Sequence, residues 1–398
     1  MFVIPAQGGN AEQSKPKLKN IDSRLRGNDN LWVCVTQCPS VLNSSFFMQL
    51  KEIGEFGLID RIKNIVDTSS TELLVGIGDD AAAFRSSKDH LTLVTTDVLI
   101  EGVHFDFEYF TFQQLGWRAL AVNLSDIAAM GGRAKYAVFS LGLPEKIQVE
   151  SIEEFYRGVK ELGDKFQTAV IGGDTTQSPD RLFISVTVVG EVEEEKLTLR
   201  SGARVGDAVF VTGTLGGAQA GLQILKSEMN KFPPRGGIKG GVSLTADLKR
   251  GVLIDKHLTP QPRINEARFL VQNFPIHAMI DISDGLASEV NHICQQSGVG
   301  VLLRAGDIPI DSATREAAAF FKERPLNYAL RGGEDFELLF TASEEVANEL
   351  QKEFRDKFGF ECSKIGAIKA PQDGVTLKTS DGKFVPILAK GYEHFGAE

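Results

Sequence analysis

Cysteine, histidine and tryptophan are scarce in this chain, and each scarcity removes a class of chemistry. The 398 residues hold four cysteines, six histidines and two tryptophans. Cys34, Cys38, Cys294 and Cys362 are too few and too scattered for a disulfide framework, which points to a reducing, cytoplasmic compartment. Cys34 and Cys38 are spaced loosely like a metal pair, but no second pair or histidine partner follows. The histidines form neither an H-E-x-x-H motif nor a catalytic-triad spacing. No apolar run approaches the ~18–20 residues of a membrane span. The first residues lack the basic start and long apolar stretch of a secretory signal. Positive charge is also short: 43 Lys and Arg against 53 Asp and Glu give a net charge of −10. That balance argues against a general nucleic-acid or anionic-membrane binder. It leaves room for a phosphorylated small molecule, because bound metal reverses the local field. The G-x-x-x-x-G-K-[ST] phosphate loop is absent too.

Aspartate, by contrast, recurs in one setting. Asp79, Asp80, Asp97, Asp126, Asp174, Asp281 and Asp284 each adjoin an apolar run and have Gly, Ser or Thr within two residues. Carboxylates without cysteine or paired histidine nearby are oxygen ligands for a hard cation such as Mg²⁺. Converging on one site, they would repel one another and any phosphate unless divalent metal lay between them. The pattern therefore points to phosphoryl transfer at a multi-metal site.

At this length two domains with real cores are expected, and 42% hydrophobic with 24% charged residues suits a globular protein. Residues 1–47 are polar, turn-rich and aperiodic, and resemble a translated bacterial intergenic repeat. They read as a disordered tail or a misassigned start, with Met48 a natural beginning. Phe56, Ile59, Ile62 and Ile65-Val66 then recur at helical spacing. Strands are expected at Leu73–Val75, Leu91–Thr96, Ala137–Leu143, Ala169–Ile171, Leu182–Val189 and Ala208–Thr212. Helices are expected over Phe112–Met130, closed by Gly131-Gly132, and over Ser151–Lys165 and Leu286–Cys294. The mixture implies an α+β or α/β first domain over 48–198. A polar, Gly-bearing junction near Leu199–Asp207 opens a second, α/β domain over 199–398. Met229–Ser243, rich in Gly, Pro and Lys, reads as a mobile loop. Acids from both halves suggest a site between them.

Each motif has a plain structural reading beside its chemical one. Val75-Gly76-Ile77-Gly78-Asp79-Asp80-Ala81 imitates a dinucleotide fingerprint, with Asp97 near the ribose-binding spacing. Two acids would then meet the pyrophosphate, and Ala81–His90 is too short for a crossover helix. A metal-bearing turn is favoured over both that reading and a merely structural turn. Thr95-Thr96-Asp97 adds hydroxyls to a strand-end acid, although such an Asp also forms ordinary turns. Asn123 and Asp126 share a face of an apolar helix, which is costly unless they are paired or metal-bound. Gly172-Gly173-Asp174-Thr175-Thr176 repeats the pattern after a β run. Gly213–Gly221 opens a helix whose free N–H groups suit an anion or simple helix–strand packing equally. In Ile280-Asp281-Ile282-Ser283-Asp284-Gly285, a helix cap accounts for Asp284 but not for Asp281. Gly332-Gly333-Glu334-Asp335 sets acids after a turn, suited to substrate contact by Glu334 or to the turn alone. His104, near the first Asp cluster, is placed to meet a phosphate.

These motifs occur in order with Glu55-Phe56-x-Leu58-Ile59 and Lys390-Gly391-Tyr392-Glu393-His394-Phe395. Together they closely resemble the thiamine-monophosphate kinases of the AIR-synthetase-like ATP-binding superfamily, over about residues 55–395. The resemblance implies a two-domain, PurM-like architecture and ATP-dependent phosphorylation of thiamine monophosphate to thiamine diphosphate with several Mg²⁺ ions. It also implies a homodimer whose first-domain sheets pair. By matching position it assigns metal to Asp80, Thr95, Thr96, Asp97, Asp126, Asp174, Asp281 and Asp284. It assigns ATP to Gly173, Asp174, Arg200 and Ser283, and the acceptor to His104, Glu334 and Tyr392. Of these, Asp80, Asp97, Asp126 and Asp174 are the expected catalytic carboxylates. The rivals are three. A sister ATP enzyme such as a selenophosphate synthetase would call for a reactive cysteine between Phe56 and Val122, and none lies there. A Ca²⁺-binding structural module fits poorly with acids spread over both halves. A dinucleotide oxidoreductase is opposed by Asp79 and Asp80. A chain beginning at Met48 is expected to fold by itself; its failure to do so would overturn the reading of residues 1–47.

Overall fold

Two sheets build this chain, one whose long strands alternate buried and open residues and one whose central strands are buried on both faces. Helices with apolar stripes close over them. The computed structural model describes residues 50–66, 71–229 and 244–388. The 1–47 tail, nearly all of the 229–243 loop and the Lys390–Phe395 ending, Tyr392 included, lie outside the described residues.

The first sheet contains β1 (Leu73–Val75), β2 (Ala82–Arg85), β3 (His90–Ile100), β4 (Arg133–Pro144), β5 (Ala169–Ser178) and β6 (Phe183–Glu193). Its order is β1-β2-β3-β6-β4-β5, antiparallel throughout except where β4 runs parallel to β5. Helices α1 (Leu50–Ile65), α2 (Phe112–Ala129) and α3 (Val149–Phe166) belong to the same half. The second sheet contains β7 (Ala208–Thr212), β8 (Ile276–Asp281), β9 (Gly300–Arg304), β10 (Leu338–Ala342), β11 (Cys362–Lys369), β12 (Val375–Lys378) and β13 (Phe384–Pro386). They lie in the order β13-β12-β9-β11-β7-β10-β8, with only β12 and β9 parallel. Around it are α4 (Gly217–Met229), α5 (Leu244–Leu258), α6 (Ile264–Asn273), α7 (Leu286–Ser297), α8 (Ser312–Phe320), α9 (Pro325–Arg331) and α10 (Ala347–Phe358).

One helix ties the halves together. Thr111 and Gln114 form a reciprocal capping box that starts α2. From Leu115 to Met130 every residue but Asp126 is buried, so the helix is apolar nearly all round and lies inside the protein. It packs on β3, β4 and β6 of the first sheet, on β8 of the second, and on α3, α5 and α6. A single apolar cluster accordingly runs from Leu91, Leu93 and Phe139 through Leu120 and Leu124 to Phe210, Phe340 and Phe354.

Several strands run further than their apolar residues alone suggest. β3 continues past Asp97 to Ile100, so Thr95-Thr96-Asp97 is mid-strand rather than a strand end. β5 continues through Gly172-Gly173-Asp174-Thr175-Thr176 to Ser178, because ladder pairing with β4 carries the polar residues along. The amphipathic reading of residues 56–66 holds for helix but not for burial. Phe56, Ile62, Ile65 and Val66 are all exposed, and α1 is kinked at Gly54, whose φ is 65°.

The α2–α3 contact is unusually close. A Cβ at Gly116 would stand 1.9 Å from the Phe155 carbonyl oxygen, and one at Gly158 would stand 1.9 Å from that of Gln113. Neither backbone can yield without moving a helix. Gly158→Ala is expected to destabilise by about 1–3 kcal/mol, as overpacking does. A thermal midpoint unchanged from the parent would show that the helices separate freely.

Candidate active site

The second half of α2, the inner face of β3, the turn before β2 and the end of β8 bring carboxylates to one place. Asp80, Asp126 and Asp281 each offer an oxygen within 4.8 Å of the others. Asp126 is the one residue in its stretch of α2 that is not buried, so it opens toward this space. Thr95, on the same side of β3 as Asp97, donates its hydroxyl to Asp126 Oδ2 at 2.5 Å. Ser125 donates to Asp281 Oδ2 at 2.6 Å, joining α2 to β8 directly.

A single arginine stands against this charge among these contacts. Arg200, in the segment between the two sheets, donates through Nη2 to Asp80 Oδ1 at 2.5 Å and through Nε at 3.2 Å. Its backbone N–H donates to Asp79 Oδ2 at 3.2 Å, while the Asp80 N–H donates to Asp79 Oδ1 at 3.0 Å. Ser297 on α7 steadies the segment by donating to the Arg200 carbonyl and accepting from the N–H groups of Gly202 and Ala203.

One cation does not balance so many buried acids. Burial pushes Asp281 up to about 8, helped by Asp80 and Asp97 and opposed by Ser125 and Arg200. Burial and Asp80 lift Asp79 to about 7, burial and Glu55 lift Asp284 to about 7, and burial lifts Asp97 to about 6. Asp126 is held well above the ordinary carboxylate range by burial and by Asp97, Asp281 and Asp80. Asp80 is raised by burial too, against the pull of Arg200. Its Oδ2 is buried with no protein partner. An all-oxygen donor set with an unpartnered buried carboxylate oxygen suits a hard divalent cation.

The remaining expected residues among those described fall in four places, the last being the turn of Glu334. Ser283 and Asp284 follow β8 beside the cluster, where the Asp284 N–H donates to Glu289 Oε1 at 2.9 Å. Thr96 points to the opposite face of β3, donating to the Val186 carbonyl and accepting from Thr187. Asp174 lies on that outer face as well. It pairs in register with Ser140, which pairs with Ser185, which pairs with the exposed Val98. Three inter-strand steps of ~4.8 Å put it about 14 Å from β3. Within one chain, Gly173 and Asp174 are therefore not brought to the cluster. His104 ends the loop after β3, and its Nδ1 accepts from the Ile100 N–H at 3.0 Å.

Glu334 occupies a turn that the backbone has to be forced into. Its φ is 71°, and that of Phe336 is 48°, both in the left-handed region that side chains disfavour. The turn is fastened to the segment after β8: the Glu334 N–H donates to the Ser283 carbonyl at 2.6 Å and the Phe336 N–H to that of Ile282 at 2.9 Å. A Cβ on Gly333 would stand 2.2 Å from the Ser283 oxygen, so glycine is required there. Asp335 accepts from the N–H groups of Gly216 and Ala218 at 2.6 and 3.1 Å. The glycine-rich start of α4 is thus filled by the protein's own carboxylate, which settles the alternatives of anion and plain packing in favour of structure.

Three participants were not singled out from the sequence. Glu289 is a buried acid on α7, raised well above its ordinary value by burial and by Asp284 and Asp281. Ser125 stands in the sequence only as part of the Asn123–Asp126 motif. Arg118 was visible as a lone cation in the apolar run Leu115–Leu124, which was the available signal.

Two family models cover most of this architecture. Residues 78–192 match the AIR synthase related protein N-terminal domain, and residues 204–378 match the corresponding C-terminal domain. The protein is thus an AIR synthase-related protein with its acids drawn from both domains. The thiamine-monophosphate kinase of Aquifex aeolicus (strain VF5) is 38% identical over 348 residues, covering 87% of this chain and 100% of that one. That of Bacillus subtilis (strain 168) is 37% identical over 344 residues, covering 86% and 100%. The solved structure of AaThiL complexed with AMPPCP and TMP superposes with a TM-score of 0.73 at 38% identity, covering 88% of this chain and 99% of that one. The chain belongs to the thiamine-monophosphate kinase family.

The acid cluster gives a pH test. Each raised carboxyl keeps its proton in the folded chain after the unfolded chain has lost it, between the ordinary value of 3.8 and the folded value. Stability is therefore fully present at low pH and is lost as pH rises through that window, to about 8 for Asp281. In chelator the thermal midpoint is expected to fall by at least about 5 °C between pH 5.5 and pH 8.5. Magnesium should restore it at the alkaline end, because metal binding displaces those protons. A midpoint flat with pH, and indifferent to magnesium, would remove the metal reading.

Proposed function

We propose that this chain transfers the γ-phosphoryl group of ATP to thiamine monophosphate, giving thiamine diphosphate and ADP. The observation that carries the reading is the convergence of Asp80, Asp126 and Asp281 from three elements and both halves of a member of this kinase family. The ligands in the AaThiL complex, an ATP analogue and TMP by its description, support the same pair of substrates.

Magnesium, when bound, would supply positive charge against the triphosphate and the transferring group. The side chains do the rest. Asp80, Asp97, Asp126, Asp281 and Asp284 hold the ions, with Thr95 and Ser125 orienting Asp126 and Asp281. Arg200 adds a fixed positive charge at the ATP side, with Ser283 beside it. His104, Glu334 and Tyr392 contact the acceptor. The acceptor phosphate is already ionised at pH 7, so in-line transfer requires neither a strong base nor a covalent enzyme intermediate.

The working form in this reading is a homodimer. β5 is an edge strand exposed along nearly its whole length, which a second copy can pair or cover. The same outer face shows Val98, Tyr136 and Phe183, and β5 adds Val170 and Ile171. Face-to-face association would cover this outer face and bring Gly173 and Asp174 of one copy against the Thr96 side of the other. The domain division follows the sequence reading, 48–198 as the ATP- and metal-binding half, with 199–398 contributing Arg200, Asp281, Ser283 and Asp284 to the same site. The compartment is the cytoplasm; among the described residues no helix is long and apolar enough to cross a membrane, and Cys294 and Cys362 are free thiols.

The assay is magnesium-dependent formation of thiamine diphosphate and ADP in equal amounts. Asp126→Asn is expected to lower turnover by at least about a thousandfold, the scale of removing a main electrostatic contributor. Its thermal midpoint in chelator should not fall, since a carboxyl that resists ionisation has been replaced by a neutral group. Near-normal turnover by that variant would refute the metal role. ATP consumption without thiamine diphosphate would keep the superfamily and discard the acceptor.

A further inference from the structure

Away from the aspartates, α2 carries a second polar feature that the transfer chemistry does not use. Arg118 is 1% exposed, yet it reaches two partners. Its Nη1 donates to the backbone carbonyl of His257, in the last turn of α5, at 2.7 Å. Its Nη2 donates to Glu334 Oε1. The other carboxylate oxygen, Oε2, lies 3.0 Å from His257 Nδ1. One carboxylate is therefore held at both oxygens by two side chains from two helices, and the Arg118–His257 contact locks those helices to each other.

The surroundings make the clamp rigid. The Phe110 ring lies 5.7 Å from the Arg118 guanidinium carbon and 5.7 Å from the His257 ring, and Tyr109 lies 6.0 Å from the same imidazole. Burial disfavours the Glu334 carboxylate, but Arg118 and His257 overcome it and bring the group down to about 2. Burial likewise lowers His257, against the pull of Glu334, and the ring stays within 3.0 Å of the carboxylate. A carboxylate has about four acceptor sites, and the clamp takes two. The Glu334 side chain keeps 32% of its surface open. The Glu334 backbone N–H ties the same turn to the Ser283 carbonyl, next to Asp284. Arg118 and Asp126 are eight residues apart on one helix, about 12 Å along its axis. The same rod thus sets the distance from the transfer site to the fixed carboxylate.

We propose that Arg118 and His257 are positioning residues for the acceptor: they hold Glu334 in the orientation in which its free lone pairs accept from the N–H groups of the amine-bearing ring of the molecule being phosphorylated. Neither residue touches the substrate. This rests on the reading of the chain as a thiamine-monophosphate kinase, and the two fail in different ways.

The test uses the full chain and steady-state kinetics with ATP and thiamine monophosphate varied separately. Arg118→Lys keeps a cation but loses the two-pronged geometry; His257→Gln keeps an amide donor but loses the ring's placement. Each is expected to raise the KM for thiamine monophosphate about tenfold, the scale of one charge-assisted hydrogen bond. The KM for ATP should stay within about twofold. On a Glu334→Gln background both should add little, because the group they position is already lost. Equal shifts in both KM values, or full additivity with Glu334→Gln, would overturn the positioning role and leave the kinase intact. No transfer to thiamine monophosphate by the unaltered chain would overturn the kinase reading and this proposal with it. If Arg118→Lys lowers the thermal midpoint by more than about 5 °C, His257→Gln carries the same comparison.

Discussion

Mutual repulsion among buried carboxylates is the constraint on which the rest of this structure depends. Asp80, Asp126 and Asp281 meet within 4.8 Å, Asp79, Asp97, Asp284 and Glu289 crowd the same region, and Arg200 answers only part of that charge. A protein free to optimise stability would not bury such a set. It is kept in place by surrounding structure that cannot relax: a helix buried nearly all round, a strand ladder behind it, and a second sheet whose β8 ends at Asp281. The strain is local and its function is general, since groups that repel one another are groups prepared for a polyvalent cation.

The element that makes this possible is α2. Its apolar surface serves both sheets at once, so the two halves share one core. Its few polar residues are spaced along the helix as a functional set. Arg118 reaches α5 and the Gly332–Asp335 turn, Ser125 reaches β8, and Asp126 faces β3. Gly116 and Gly158 let α3 press close enough to fix the helix against lateral movement. Precision at the site therefore derives from packing some distance from it.

Much of the site was legible in the sequence because oxygen ligands beside glycine, serine and threonine at the borders of apolar runs leave a pattern. Asp80, Asp97, Asp126, Asp281 and Asp284 were all singled out on that basis, and the structure brings them to one region. What misled was local extent. β3 and β5 run through Thr96-Asp97 and Gly172–Thr176 because cross-strand pairing outweighs the turn propensity of glycine and aspartate. The exposed apolar face of α1 shows the converse: helical periodicity reveals that a face is apolar, not what covers it.

By itself, the sequence determined the class of chemistry: scarce cysteine and histidine, no phosphate loop, and recurrent aspartates with hydroxyl neighbours left a metal-assisted phosphoryl transfer as the natural reading. It also determined the family, through motifs in order. Only the tertiary structure decided which acids converge. Side-chain direction separates Thr95 and Asp97 from Thr96 and Asp174, and that direction depends on pleat and register, which residue identity does not carry. The same holds for Arg118, His257 and Glu334, which lie on three separate elements. Their meeting is a consequence of how α2, α5 and the turn before β10 pack, and no local pattern encodes it.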